Sequence, residues 1–171
     1  ARDITRNNYE EAKKAALLYQ DIFGKGNFFL ELQDHGIPAQ RLVNQELMRM
    51  SRETGIELVC TNDIHYTFAD DAEAHDLLLC LQTGKKVTED RMRYEGGQYY
   101  CKSPEEMASL FPYAPEALEN TYKIAQRCNV EIEFGHTKLP KYEVPEGYDS
   151  WTYLLHLCNE GLVKRYGDHA E

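Results

Sequence analysis

Two short apolar runs, separated by one helix-length stretch, constrain this chain more than any other feature. Residues 28–32 (Phe28-Phe29-Leu30-Glu31-Leu32) and residues 57–61 (Glu57-Leu58-Val59-Cys60-Thr61) have strand length and strand character. Between them Pro38 opens a helical pattern carrying Leu42, Val43, Leu47 and Met50, and Gly55 closes it. Before them, residues 8–23 repeat Tyr9, Ala12, Ala16, Tyr19 and Phe23 at helical spacing, with Asn7 or Asn8 as cap and Gly24 as stop. Helix, strand, helix, strand with helix-length connections predicts an α/β fold with parallel strands and right-handed crossovers.

The rest reads as mainly helical. Residues 70–81 form a helix with Ala74, Leu77, Leu78 and Leu81 as its apolar face and Gly84 as its end. Residues 85–98 are charged, contain Gly96-Gly97 and read as an exposed loop, followed by a short extended piece at 99–101. Ser103-Pro104-Glu105-Glu106 combines an N-cap, a proline at the first helical position and a glutamate at the third. Pro115 opens a further helix through Ala117, Leu118, Thr121, Ile124 and Ala125, and Val130 to Phe134 reads as a short strand. Residues 135–148, with Gly135, Pro140, Pro145 and Gly147, read as a linker. Beyond it Asp149 or Ser150 caps an amphipathic helix bearing Trp151, Leu154, Leu155, Cys158 and Leu162.

The net charge of −10 over 171 residues argues against tight nucleic-acid binding by this segment alone, because phosphate neutralisation needs clustered Lys and Arg. No apolar run is long enough to span a bilayer. Cys60, Cys80, Cys101, Cys128 and Cys158 are widely spaced with no Cys-x-x-Cys, which reads as reduced, buried thiols of a cytoplasmic protein. The start at Ala1 and the polar run 166–171 read as cut points in a longer protein.

The second apolar run ends in Asn62-Asp63-Ile64-His65. On an extended backbone alternate side chains leave one face, so Asp63 and His65 would present a carboxylate and an imidazole together, as a metal site needs. The alternative is ordinary turn chemistry at Asn62-Asp63. Glu31 interrupts the first strand, and Asp34 and His35 follow its end. With the strands adjacent and parallel, His35 and His65 reach the same rim, and the alternative is an Asp-His-Gly loop making local hydrogen bonds. His75, beside Glu73 and Asp76, reads as part of a solvated helix face. His136, His156 and His169 read as structural or exposed. Lys85, Lys86, Arg91 and Arg93 form a small basic patch on a solvated loop. No phosphate-cradling glycine loop, nucleophile elbow or His-Glu-x-x-His motif occurs.

Several motifs together resemble a known family. Phe29-Leu30-Glu31-Leu32-Gln33-Asp34-His35-Gly36, Thr61-Asn62-Asp63 with His65-Tyr66, Ala72 with Ala74-His75-Asp76, and Leu79-Cys80-Leu81-Gln82-Thr83-Gly84-Lys85 are similar to the alpha subunits of bacterial DNA polymerase III. Tyr99-Tyr100, Lys102-Ser103-Pro104-Glu105-Glu106-Met107 and Arg127-Cys128-Asn129-Val130 continue the likeness along nearly the whole chain. The resemblance implies a PHP (polymerase and histidinol phosphatase) domain, a distorted barrel of parallel strands around a metal cluster. Its last Asp-x-His motif falls on Asp63 and His65. Glu31 and His35 match residues usual in the family and stand as candidate site neighbours. Earlier ligand motifs fall before Ala1, and the polymerase aspartates fall beyond Glu171, so no catalytic residue of chain extension is expected here.

On that resemblance residues 1–85 are the last part of a PHP barrel, 86–134 a helical extension, 135–148 a linker and 149–171 a helix leading toward the palm. The implied cofactors are zinc or manganese at the complete PHP site and magnesium in the palm, with none or substoichiometric metal on this segment alone. The implied partners are primer–template DNA, deoxynucleotides, the sliding clamp, a proofreading exonuclease subunit and the clamp loader, with no membrane. Template-directed DNA synthesis by the parent, with PHP-borne 3′→5′ proofreading, is the leading expectation. The alternatives are a stand-alone, histidinol-phosphatase-like phosphoesterase and a catalytically silent docking scaffold. A partial barrel leaves strand edges and apolar faces uncovered, which predicts self-association.

Overall fold

In the computed structural model β1 (Leu30–Leu32) and β2 (Leu58–Cys60) pair in parallel, with Leu30 opposite Leu58, Glu31 opposite Val59 and Leu32 opposite Cys60. The structure describes residues 1–167, so His169 lies outside the described residues. The pleat puts Leu30, Leu32, Leu58 and Cys60 on the buried face and leaves Glu31 exposed on the other. The connection is α3 (Pro38–Thr54), which starts on its proline and ends where Gly55 turns left-handed at φ +73° and returns its N–H to the Ser51 carbonyl. Leu47, Met50 and the buried amide of Asn44 line its inner face.

The first helix spans Tyr9–Phe23 as α2, preceded by a short α1 (Arg2–Thr5) that sequence periodicity does not reveal. Asn8 stands at its N-cap position without making a side-chain cap. Ala12 and Ala16 are buried, and Glu53 of α3 ties the two helices together by accepting from the Tyr9 hydroxyl at 2.9 Å and from Lys13 at 2.7 Å. The helix α6 (Pro115–Arg127) also packs against β2, its Ala117 joining the apolar cluster that Leu47 and Met50 of α3 form with Leu30, Leu32 and Leu58. Asn120, 4% exposed, donates its amide to the Leu58 carbonyl at 2.9 Å, so a helix side chain satisfies a strand carbonyl. The Ser103–Glu106 capping box opens α5 (Pro104–Leu110), with the Ser103 N–H donating to Glu106 at 2.7 Å and the Glu106 N–H donating to the Ser103 hydroxyl at 3.2 Å.

Three expectations are corrected here. The helix α4 (Ala72–Thr83) buries Leu79 and Cys80, while Leu77, Leu78 and Leu81, expected to face the core, are exposed. The run Leu77-Leu78-Leu79-Cys80-Leu81 is apolar on every side, so its periodicity names no face. Residues 130–134 form no strand; Val130, Ile132 and Phe134 are exposed and lack a pairing neighbour among the described residues. Cys60 and Cys80 are buried, but Cys101, Cys128 and Cys158 are exposed.

The chain divides into two compact units, the first running from Ala1 to Asn129 and the second from Val130 onward. In the second, an irregular stretch leads to α7 (Ser150–Tyr166), which Asp149 caps by accepting the Thr152 N–H at 2.8 Å. Tyr148, Tyr153 and His156 pack ring against ring beside it. No described helix is long and apolar enough to cross a membrane.

In the first unit the sheet has only two strands, and Leu18, Ile22 and Phe23 of α2 and Leu78 and Leu81 of α4 are exposed. Such edges and faces associate with other chains. Light scattering on the concentrated chain is expected to show dimers or larger species; a single monomeric species at high concentration would refute this.

Candidate functional site

The ladder ends where the Thr61 N–H donates to the Leu32 carbonyl at 3.0 Å, and the chain then leaves the sheet. The Asn62 side chain turns inward and is 6% exposed. Its amide donates to the carbonyls of Gln98, at 3.1 Å, and Tyr100, at 2.7 Å, clasping the segment on either side of Tyr99. The Tyr99 carbonyl in turn accepts the His65 N–H at 2.8 Å. The loop carrying Tyr99 is thus locked to the turn carrying His65 by backbone and amide bonds.

Asp63 does not continue the extended backbone that its spacing from His65 suggested. It sits at φ +45°, in the left-handed region that Asp and Asn enter more readily than other non-glycine residues. The two side chains nevertheless converge. His65 Nδ1 lies 2.6 Å from the Asp63 backbone carbonyl and 3.9 Å from its carboxylate Oδ2. A carbonyl only accepts, so Nδ1 carries the proton and Nε2 keeps its lone pair. This is the arrangement in which a histidine presents Nε2 to a metal. The Asp63 carboxylate, about half exposed, is a hard oxygen donor on the Nδ1 side of the same ring. Among the described residues no three His, Cys, Asp or Glu side chains gather to hold a metal. A carboxylate and an imidazole are the donor types of zinc and manganese sites, and two of them fall short of the about three or four protein ligands such a site takes.

His35 is placed differently. It is 4% exposed, and both ring nitrogens have partners. Gln40 Oε1 accepts the His35 backbone N–H at 2.8 Å, which aims the Gln40 amide N–H at His35 Nδ1, 2.9 Å away. Nδ1 therefore accepts, and Nε2–H donates to the Asn62 carbonyl at 2.9 Å. With no free lone pair, His35 is a neighbour of the site and not a donor to it. Glu31 accepts from the Thr61 hydroxyl at 2.6 Å on the exposed face of the sheet, and none of its hydrogen bonds runs to Asp63 or His65.

The residues that sequence reasoning missed are aromatic. Tyr94 lies 4.2 Å from His65 between ring centroids, and Tyr99, 7% exposed, stacks on His35 at 4.1 Å and meets Tyr94 edge-on at 4.9 Å. Burial, and after it the Asp63 charge, pushes the Tyr99 phenol above its ordinary pKa. His75 is half-buried where a solvated helix face was expected: its ring packs on His65, Tyr66 and Tyr94 at 5.2–5.5 Å. The basic patch is corrected in the same region. The Arg91 side chain is 1% exposed and forks onto the Asp76 carboxylate, with Nη1 2.7 Å from Oδ1. Only Tyr94, Gly96-Gly97 and the alternation after Asn62 hinted that this loop returns to the strand end.

The chain is 45% identical over 168 residues to DNA polymerase III subunit alpha of Borreliella burgdorferi, covering 96% of this chain and 15% of that protein. It is 42% identical over 170 residues to the subunit of Treponema pallidum, covering 98% of this chain and 14% of that protein. It is 39% identical over 154 residues to that of Thermus aquaticus, covering 86% of this chain and 12% of that protein. The chain thus spans about one-seventh of the length of the curated relatives it matches. No family model matches it.

Proposed function

The chain belongs to the DNA polymerase III alpha-subunit family, and from that premise we propose that it is a segment of a replicative enzyme that extends primer–template DNA with deoxynucleotides. The observation that carries the reading is the likeness along nearly the whole chain to proteins all named as that subunit. The acidic surface fits a segment that does not itself grip the duplex. In this reading sliding clamp, clamp loader and a proofreading exonuclease subunit are partners of the complete protein in the cytoplasm, and chain extension relies on magnesium held by residues beyond this segment.

Within that protein residues 1–85 are the closing part of a PHP barrel, 86–134 its helical extension, 135–148 a linker and 149–171 the approach to the palm. Asp63 and His65 contribute a carboxylate oxygen and Nε2 to a zinc or manganese cluster completed by residues elsewhere. When bound, such metals polarise a phosphodiester and activate water, which suits removal of a mispaired primer 3′ end. The support from this chain is the proton placement on His65: the Asp63 carbonyl holds Nδ1–H and leaves the lone pair on Nε2. The likeness along nearly the whole chain to DNA polymerase III alpha subunits favours the polymerase reading over a stand-alone phosphoesterase of the histidinol-phosphatase type.

The test is primer extension by the complete protein with magnesium and all four deoxynucleotides. Template-directed elongation is expected, and a protein that folds yet adds no nucleotide to a primed template would overturn the reading.

A further inference from the structure

The Asp63–His65 turn is not held by its own strand. Past Thr61 the backbone leaves the ladder, Asp63 occupies the left-handed region, and the groups that fix the turn come from two other segments. One is the loop 98–100, clasped by the Asn62 amide and returning the Tyr99 carbonyl to the His65 N–H. The other is His35, at the end of the neighbouring strand. Its Nε2–H reaches the Asn62 carbonyl at 2.9 Å, and its ring lies on Tyr99 at 4.1 Å with the two planes 12° apart. His35 therefore touches both halves of the clasp at once.

Two further contacts fix His35 itself. Gln40, in the first turn of α3, holds both its backbone N–H and its Nδ1, and so sets which ring nitrogen carries the proton. Gly96 runs close over the His35 carbonyl, where an added Cβ would lie 3.6 Å away. A neutral histidine with a defined tautomer is thus buried where it can aim the carbonyl of Asn62, the residue directly before Asp63.

We infer that His35 is a positioning residue for the Asp63–His65 pair, acting through the Asn62 carbonyl and the Tyr99 ring, so that metal affinity depends on the Nε2–H donor as well as on bulk at position 35. The inference rests on the reading of Asp63 and His65 as metal ligands. Partners that orient a ligand in this way alter metal affinity by about ten- to a hundredfold.

The experiment measures zinc affinity and stoichiometry of the complete protein by chelator competition, with the melting temperature of the metal-free protein as the control for folding. His35→Phe keeps the ring on Tyr99 and removes the donor. His35→Asn keeps a partner for Gln40 but stops short of the Asn62 carbonyl. His35→Gln places an amide N–H near the position of Nε2. His35→Phe and His35→Asn are expected to weaken one zinc by about ten- to a hundredfold, and His35→Gln to restore it to near the parent value. Should His35→Phe not fold, the contrast between Asn and Gln decides. Equal loss in all three variants marks a packing role and overturns the inference. So does parental affinity in His35→Phe and His35→Asn while Asp63→Ala loses zinc, an outcome that leaves the ligand reading standing. Parental zinc binding in both Asp63→Ala and His65→Ala overturns the ligand reading and this inference with it.

Discussion

On the proposed proofreading role, the complete protein carrying His65→Ala or Asp63→Asn is expected to lose 3′→5′ exonuclease activity by at least about a hundredfold, since removing a ligand exceeds the ten- to hundredfold effect of removing a group that only orients one. The expectation comes from the geometry at the end of β2. His65 has one nitrogen committed to the Asp63 carbonyl at 2.6 Å and the other free to coordinate, while the Asp63 carboxylate lies alongside. Alanine at 65 removes the nitrogen donor. Asparagine at 63 keeps the shape, and with it the left-handed backbone that Asn tolerates, but takes away the negative charge that offsets a metal cation. Primer extension should be unaffected, because its aspartates are expected outside this chain. The separation between the two activities is the informative part. Exonuclease activity that persists unchanged in both variants, measured on a mispaired primer end, would remove the metal reading of this motif. Loss of both activities together would instead signal a folding defect, and an unchanged melting temperature is the control against it.

How much of this was legible beforehand differs between the backbone and the side chains. Proline and glycine punctuation marked the helices well: Pro38 and Gly55 bound α3, the Ser103–Glu106 box opens α5, Pro115 opens α6 and Asp149 caps α7. These signals are local, since a cap or a left-handed stop depends on a few neighbouring residues. The parallel pairing was legible for a similar reason, because a helix-length connection leaves few other ways to join adjacent strands. Faces were harder to read. In α4 five consecutive apolar residues gave no preferred side, and the choice was made by the loop that returns with Arg91 and Tyr94.

The candidate site shows the same division. That Asp63 and His65 come together was legible, but the route was not. Alternation on a strand predicted convergence, whereas a left-handed turn and a carbonyl bond produce it. His75 was read as solvated because Glu73 and Asp76 flank it, yet the Asp76 carboxylate is engaged by Arg91 from a loop fifteen residues on. His35 was read as a neighbour of the site from its place at a strand end, and its two partners, Gln40 and the Asn62 carbonyl, show both ring nitrogens occupied. The Arg91–Asp76 and His35–Asn62 contacts are distant in sequence, where periodicity and spacing carry no information, whereas the Asp63 turn is local and was hidden by the backbone conformation that alternation assumes.

Phe111→Ala is expected to destabilise the first unit by about 3–5 kcal/mol, the usual effect of truncating a fully buried phenylalanine. Phe111 is 0% exposed and lies in one apolar cluster with Leu32, Met50, Ile56, Leu58, Ala114 and Ala117. It belongs to no regular element. It sits in the connector between α5 and α6, its N–H donating to the Met107 carbonyl and its own carbonyl accepting from Ala114. Flanked by Pro112 and ahead of Pro115, it stands among turn formers, and the largest fully buried side chain of the unit is therefore one that no helical or strand pattern marks. The ring joins what the strands and α3 bury to what α6 brings down on β2. Its loss opens a cavity between layers, and the alanines at 114 and 117 are too small to fill it. A loss of this size is a large fraction of the roughly 5–15 kcal/mol that stabilises a typical domain. The measurement is denaturant unfolding of the chain, at low concentration to limit association, compared with Leu18→Ala as an exposed control. The control should change stability by less than about 0.5 kcal/mol. A Phe111→Ala chain that unfolds within about 1 kcal/mol of the parent would mean that the connector collapses onto the vacated space, and that the α6 layer is held to β2 by Asn120 and its neighbours without this ring.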